Sequence, residues 1–209
     1  MAKETYINGL MTPPFRLSYP RLVEPREGMN GGKAKYSLMA KFPKEGMSAE
    51  DAAALKAIKE ACAKAASTHW KTYADEHQGA LPPGIKKPFR DGDNPEHSTS
   101  PETKGYSFAN LRSTKKPHVF NGKNVEITLA DEIKEKLYPG CWARCTLDVA
   151  AGENSGSRYV RLQLRNIQKI KEGAKLGNAQ PEGPAFGEVE GYVDDSADGM
   201  TPNFDAADF

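Results

Sequence analysis

Cysteines are few in this 209-residue sequence, and long apolar runs are missing altogether. No stretch approaches the roughly 20 apolar residues that a membrane-spanning helix needs, and the opening MAKETYINGL lacks the apolar segment of a secretion signal. The three cysteines, Cys62, Cys141 and Cys145, are an odd number in a chain without such a signal. We therefore expect reduced thiols, no membrane segment and a location in the cytoplasm.

Residue patterns of catalysis and metal binding are also missing. The four histidines show no metal-ligand spacing, and Cys141 and Cys145 would lie roughly 13 Å apart on one strand, too far to share a zinc ion. Asp91 and Asp93 begin like a calcium loop but lack its later ligands. The glycine-rich stretch at 28–33 lacks the spacing of a phosphate-binding loop, and there is no Gly-x-Ser-x-Gly. We expect no catalytic residue, no metal and no cofactor.

Charge is unevenly distributed, although the net charge is only +1. The last 34 residues contain no Lys or Arg, whereas residues 1–175 hold all 29 basic residues and 20 of the 28 acidic ones. A basic body joined to an acidic end is typical of nucleic-acid-binding proteins. Gly, Pro, Ala and Asp dominate after position 175, and apolar periodicity is lost. The sequence therefore predicts a folded domain at 1–175 and a disordered acidic tail at 176–209.

Apolar periodicity predicts a mainly β domain with inserted helices. Alternation of apolar and polar residues predicts strands, and steps of three and four residues after Ser48, a good N-cap, predict one long amphipathic helix. The predicted elements are a short strand from Phe15 that ends at Pro20, strands at 35–42 and 106–113, helices at 48–77 and 130–138, a long irregular loop at 79–105, and a hairpin of strands at 141–152 and 157–170.

The two strands of the predicted hairpin carry the strongest candidate for a binding surface. Their alternate apolar side chains are expected to face the core, so the other face presents aromatic rings beside guanidinium groups. Single-strand binders combine these groups because bases stack on rings, at about 1–3 kcal/mol per base, while cations follow the phosphates. The candidates on this face are Trp142, Arg144, Tyr159, Arg161 and Arg165.

Basic and aromatic residues on other predicted segments extend this candidate site. They lie on the first two strands, in the basic cluster of the long loop, and on the strand at 106–113. For that last strand, the pattern leaves open whether Tyr106 and Arg112 face the core or a binding surface. The further candidates are Arg16, Arg21, Lys35, Lys41, Lys86, Lys87, Phe89, Arg90, Tyr106 and Arg112.

The predicted tail ends on an aromatic residue, which a tail that only confers solubility does not need. If flexible, its 34 residues have a root-mean-square span of roughly 32 Å, whereas the body has a radius of gyration of about 16 Å. The tail can therefore reach its own body at an effective concentration on the order of millimolar and mimic phosphates there until DNA displaces it. The residues assigned to tail contacts are Asp194, Asp195, Asp198, Asp205, Asp208 and Phe209.

Several stretches of the chain resemble one known family, the phage-encoded replicative single-stranded DNA-binding proteins of the Enterobacter-phage type. The resemblance is spread over most of residues 16–177 and is global rather than one short motif. The stretches that carry it are RLSYPRLVEP at 16–25, KYSLMAKFPK at 35–44, PFRDGD at 88–93, YPGCWARC at 138–145 and GSRYVRLQLRNIQKIKEGAKLG at 156–177.

The resemblance implies an OB fold, a five-stranded barrel with inserted helices. It also implies cooperative coating of single-stranded DNA during phage replication in the host cytoplasm, without catalysis. The ending Asp208–Phe209 is similar to the tails of other single-strand binders, which recruit replication proteins such as a DNA polymerase or helicase through a terminal Phe. Whether the chain forms a homo-oligomer, and whether it prefers DNA to RNA, stays open.

Three other functions stay open on the residues alone. A strand-annealing or recombination factor would pair complementary strands, and a structural virion component would assemble without nucleic acid. A metal-dependent nuclease would use scattered Asp and Glu residues, although clustered carboxylates are missing.

Overall fold

The computed structural model describes residues 4–28 and 31–176, so the predicted tail lies outside the described residues apart from Leu176. Within these ranges the chain forms eight strands and three α-helices, with a short 3-10 helix at Pro101–Thr103. The strands are β1 (Thr5–Met11), β2 (Phe15–Arg26), β3 (Lys35–Pro43), β4 (Phe89–Asp91), β5 (Tyr106–Ser113), β6 (His118–Phe120), β7 (Trp142–Asn154) and β8 (Ser157–Lys171). The helices are α1 (Ala49–His69), α2 (Lys71–Glu76) and α3 (Ala130–Lys136).

Five of the strands close into a ring. Their order is β7–β2–β3–β5–β8, and β8 pairs back onto β7. The β5–β8 pair is parallel and the other four pairs are antiparallel. This is the five-stranded barrel of an OB fold, which confirms the expected fold class. The remaining strands extend the ring, with β1 on β7, β4 on β5 and β6 on β8.

The barrel encloses one apolar core, to which every strand of the ring contributes. Leu17, Leu38, Leu111, Leu147 and Leu162 come from the five strands in turn, and none is more than 2% exposed. The apolar residues predicted to face the core in β7 and β8 are buried, although the pairing of the two strands shifts register between Thr146 and Leu147.

All three cysteines are buried and free. Burial raises the pKa of Cys62 to about 12, of Cys141 to about 11 and of Cys145 to about 12. The thiols are therefore protonated at neutral pH, which confirms the interpretation of Cys141 and Cys145 as small core residues.

The long predicted helix is present but broken. The Ser48 hydroxyl accepts a hydrogen bond from the Asp51 N–H at 3.1 Å, as an N-cap does. The apolar stripe of α1 packs against β1 and β7. The helix ends at His69 because Trp70, 8% exposed, leaves helical geometry, and α2 continues from Lys71.

Strand β2 does not end at Pro20, contrary to the sequence prediction. It runs on to Arg26, and its register against β3 shifts between Ser18 and Arg21. The proline lies within this register shift, where the regular hydrogen bonds between β2 and β3 are already interrupted, so its missing N–H costs no such bond. The preceding residue, Tyr19, has a φ of +47° and is 62% exposed.

Three strands, β1, β4 and the three-residue β6, are not among those predicted from the sequence. The pairing of β1 with β7 shifts between Ile7 and Leu10, around Gly9, and this irregularity removes the alternation that would have indicated a strand. Strand β4 forms inside the predicted loop at 79–105 by pairing with β5. That segment is therefore irregular only in part.

Candidate nucleic-acid interface

A groove opens on the outer face of the barrel, where the segment before β4 meets the start of β8. The Lys86 N–H donates to the Arg158 carbonyl at 3.0 Å, and the Val160 N–H donates to the Lys86 carbonyl at 2.9 Å. This single parallel bridge holds the basic cluster at 86–90 beside the side chains of β8. Segments that are distant in sequence thus share one surface.

The groove is strongly basic. It has a volume of about 400 Å³, and six of its lining side chains are cationic, while none of the described residues that line it is acidic. The lining residues are Lys35, Lys86, Lys87, Pro88, Arg90, Asn110, Arg112, Asn154, Tyr159, Val160, Arg161 and Leu162. We call this surface the basic groove. Phosphates are the natural ligands of so many cations on one concave surface.

Seven of the fifteen predicted nucleic-acid-binding residues line the basic groove, and the sheet explains why they meet. Arg112 is exposed and pairs with Ser37 of β3 and with Gln163 of β8, so for this residue the structure favours the binding surface over the core. Counted in chain order among the five ring strands, β3 and β5 are the second and third. OB folds bind oligonucleotides on the face that these two strands form. The seven are Lys35, Lys86, Lys87, Arg90, Arg112, Tyr159 and Arg161.

Glu4 contacts two residues of the basic groove. The Tyr159 hydroxyl donates to its Oε1 at 2.7 Å, Arg161 Nη2 donates to its Oε2 at 2.7 Å, and Tyr6 donates to it as well. Burial favours the protonated form of Glu4, but these contacts outweigh it and lower the pKa of Glu4. Burial, together with the hydrogen bond to Glu4, raises the pKa of Tyr159 to about 12. Glu4 is therefore an ionised carboxylate that forms an ion pair with Arg161, one of the six cations of the groove.

Trp142 and Tyr159 lie at opposite ends of the hairpin. Trp142 pairs with Lys171, whereas Tyr159 pairs with Gly152, and ten residues of β7 span roughly 33 Å. Arg16 and Lys171, from the strands on either side, lie over the Trp142 ring at 5.6 and 5.1 Å from its centroid. The register therefore separates the two rings of the predicted hairpin face, and only Tyr159 lines the basic groove.

Lys41, Tyr106 and Phe89 are packed rather than freely exposed. Lys41 is 1% exposed, donates to the Glu102 carbonyl at 2.9 Å and lies 5.2 Å from the Tyr106 ring centroid. Burial lowers the pKa of Lys41 and outweighs the opposing charge of Glu102. Phe89 packs against Phe42 with ring centroids 6.1 Å apart. Lys41 does point away from the barrel core, but the segment before β5 covers it.

Two further predicted cations have partners outside the basic groove. Arg144 Nε donates to Gln168 at 2.9 Å. Arg165 Nε donates to Asp148 at 2.5 Å, and that carboxylate is buried. Arg21 is exposed on β2 and lines a separate groove.

Three polar residues at this surface, Asn110, Asn154 and Glu4, were not predicted from the sequence. Asn110 precedes Arg112 by two positions on β5, so the alternation of the strand could have indicated it. Asn154 lies at the end of β7 beside the hairpin turn. No local pattern marks Glu4, because its role depends on contacts with β8.

Residues 4–28 and 31–176 contain no group of three or more His, Cys, Asp or Glu side chains placed to hold a metal ion. Helices in the described part of the chain are too short or too polar to cross a membrane.

An OB barrel with a basic groove across its second and third strands defines a nucleic-acid-binding protein of the OB class. More narrowly, the chain belongs to the family of the Enterobacter phage Enc34 ssDNA-binding protein, whose model matches residues 9–198. This finding confirms the resemblance noted in the sequence. No curated protein sequence matches the chain.

Solved structures of phage proteins are similar to this chain. The single-stranded DNA-binding protein from bacteriophage Enc34 in complex with ssDNA is 27% identical, has a TM-score of 0.60, and the match covers 83% of this chain and 89% of that one. A C-terminal truncation of the Enc34 protein gives 24% identity, a TM-score of 0.62 and coverage of 84% and 94%. The single-stranded DNA-binding protein gp2.5 of bacteriophage T7 is 13% identical and has a TM-score of 0.55. That match covers 86% of this chain and 98% of gp2.5. The last two support the fold alone.

Proposed function

We propose that this chain binds single-stranded DNA without sequence preference and coats it during phage DNA replication in the host cytoplasm. The observation that carries the proposal is the basic groove, with six cations, one tyrosine and no acid among its described lining residues. The Enc34 relative of known structure, which is in complex with ssDNA, supports it.

The groove suits a flexible strand better than a duplex. Its cations lie on strands and on the segment before β4, so they can follow a curved backbone, while the Tyr159 ring offers a face to one base. The side-chain amides of Asn110 and Asn154 can donate to and accept from any base. Since stacking and phosphate contacts do not depend on base identity, binding is expected to tolerate every sequence.

A fluorescence titration with labelled oligothymidine and a duplex of matched length tests this function. We expect micromolar or tighter binding of the single strand, with log K falling by about 0.7 per log unit of salt for each phosphate neutralised. The strand should stay uncut with Mg²⁺, because we propose binding without catalysis. Equal affinity for strand and duplex would contradict the proposal.

Replacing Glu4 with Gln is expected to strengthen single-strand binding. The change frees Arg161 from an ion pair of the kind worth about 0.2–1 kcal/mol, so affinity should rise by up to about fivefold. The slope of log K against log salt concentration should become steeper by about 0.7, because Arg161 can then neutralise one more phosphate. Titration at several salt concentrations measures both effects. Glu96→Gln, the same charge change at an exposed site outside the groove, serves as control, and equal salt slopes for the two variants would refute the role of Glu4.

We further propose that the acidic tail regulates DNA binding and recruits replication proteins such as a polymerase or helicase through Phe209. The support is the charge distribution, since residues after 175 carry eight acids and no base while the body is strongly basic. A tethered competitor at an effective concentration on the order of millimolar can occupy cations at low salt without blocking a long DNA strand.

Removal of residues 177–209 is expected to raise the affinity for single-stranded DNA, because an intramolecular competitor is lost. The gain should be largest at low salt and shrink as ions screen the tail. Parallel titrations of the full chain and of the chain ending at Leu176 measure it. Identical affinities at low salt would refute regulation by the tail while leaving the function of the basic groove untouched.

A further inference from the structure

A second groove, of about 510 Å³, lies between the second half of β2 and α3. Leu22, Ile133 and Leu137 line it, and each is 2–3% exposed. Tyr19 also lines it and is 62% exposed. We call this surface the β2–α3 groove.

We propose that the β2–α3 groove is a second subsite for the same DNA strand, in which Tyr19 stacks on a base and Arg21 and Arg26 hold the flanking phosphates. This inference rests on the proposed function and extends the path of the strand from the basic groove across β3. Tyr19 and Arg26 were not among the residues that the sequence indicated.

The sheet register places the two grooves side by side. Arg21 pairs with Ser37, and Ser37 pairs with Arg112 of the basic groove. Arg26 pairs in the same way with Lys35, which lines the basic groove. Because directly paired residues project from the same face of a sheet, the cations of β2 share a face with those of β5. Strand β3 therefore borders both grooves and separates the β2–α3 groove from the basic groove.

The separation of the grooves suits one continuous strand. Arg21 and Arg112 are two strand spacings apart, or about 10 Å. At a spacing of about 3.4 Å per stacked nucleotide, that distance adds roughly two to three nucleotides to the bound length. A longer oligonucleotide can thus reach both grooves, whereas a very short one reaches a single groove.

The backbone of Tyr19 is unusual for a large side chain. Its φ of +47° lies in the left-handed region, which disfavours every residue with a bulky side chain. The irregularity of β2 between Ser18 and Arg21 creates this conformation and turns the ring outward. An aromatic ring that is held in solvent in an unfavourable conformation gains nothing from packing in the folded domain. A ligand that stacks on it would account for the arrangement.

The chemistry of the β2–α3 groove matches a nucleotide. Three cations, Arg21, Arg26 and Lys134, line it together with one acid, Glu24, so its charge favours phosphate. The exposed tyrosine ring provides the stacking surface that a base needs. The basic groove next to it supplies the rest of the strand.

Tyr19→Gly, made in the full-length chain, separates stacking from structure. Glycine accepts the positive φ without strain, so the melting temperature should stay the same or rise. With oligothymidines of increasing length, the wild type should gain affinity once the strand spans both grooves. The affinity of the variant for these longer strands should be lower than that of the wild type by about 5-fold or more, the effect of losing one stacking contact. Its affinity for the shortest strands should equal that of the wild type.

Two variants complete the experiment. Tyr19→Phe keeps the ring and should retain the gain, and Val125→Ala, at a site 58% exposed and outside both grooves, should change nothing. A Tyr19→Gly protein that keeps the full gain, or loses affinity equally at every length, would overturn the second subsite. A failure of the proposed function looks different, because no length of single strand would then be preferred over duplex.

Discussion

Replacing Arg90 and Arg112 together with Glu is expected to reduce the affinity for single-stranded DNA by about 100-fold or more at low salt. Both side chains are exposed and line the basic groove from adjacent strands, β4 and β5. The double variant removes two phosphate contacts and places two anions where the strand must pass, and a like-charge contact costs several kcal/mol. The salt dependence should become less steep by about 1.4, because two fewer phosphates are neutralised.

The loss should arise in binding and not in folding. Within the described ranges neither guanidinium takes part in an ion pair, so their replacement breaks no such contact. Thermal melting should therefore be nearly unchanged, since surface substitutions of this kind usually stay within about 0.5 kcal/mol. Titrations at several salt concentrations, with melting curves of the same samples, measure both quantities.

A control must match the change of net charge. Lys64 on α1 and Lys123 in the turn after β6 are exposed and lie outside both grooves. Lys64→Glu with Lys123→Glu alters the net charge equally and should weaken binding only slightly, through the long-range field of the protein. If the two double variants lose affinity to the same extent, the basic groove is not the binding site.

The sequence predicted those parts of the fold in which one local pattern is enough. The alternation in β7 and β8 identified their core-facing residues, and Ser48 identified the start of α1, because each signal lies within one element. The position of the predicted turn also implies that Tyr159 lies opposite Gly152, close to the turn. Counting back along the first strand from that turn would have shown that Trp142 lies at the far end of the hairpin.

The parts that the sequence did not predict depend on contacts between distant segments. Lys41 alternates with core residues as an outward-facing lysine should, yet the segment at 100–106 covers it. The bridge from Lys86 to the start of β8 is formed by backbone groups, which every residue possesses, so no side-chain pattern reveals it. The basic groove could therefore be predicted as a set of cations but not as a shape.

Replacing Gly92 with Ala is expected to lower the stability of the domain. A Cβ at this buried position would lie 2.0 Å from the Thr103 carbonyl oxygen and 2.7 Å from that of Tyr106, and both are backbone atoms that cannot rotate away. The Gly92 N–H also donates to the Tyr106 carbonyl at 2.9 Å. Overpacking of this kind costs about 1–3 kcal/mol, which in a domain of this size lowers the melting temperature by roughly 2–12 °C.

The same substitution should also weaken DNA binding, because Gly92 directly follows β4. The chain near it is tied down by Lys44, which pairs with Asp91 and lies 2.6 Å from Asp93. Moving this segment to make room for a Cβ displaces the Arg90 end of the basic groove. Gly122→Ala is the matched control, since a Cβ there meets only the Lys169 carbonyl oxygen at 3.6 Å, an ordinary contact. We expect it to melt and bind like the wild type. If Gly92→Ala melts at the same temperature as Gly122→Ala, the segment between β4 and β5 yields easily and does not hold the groove in place.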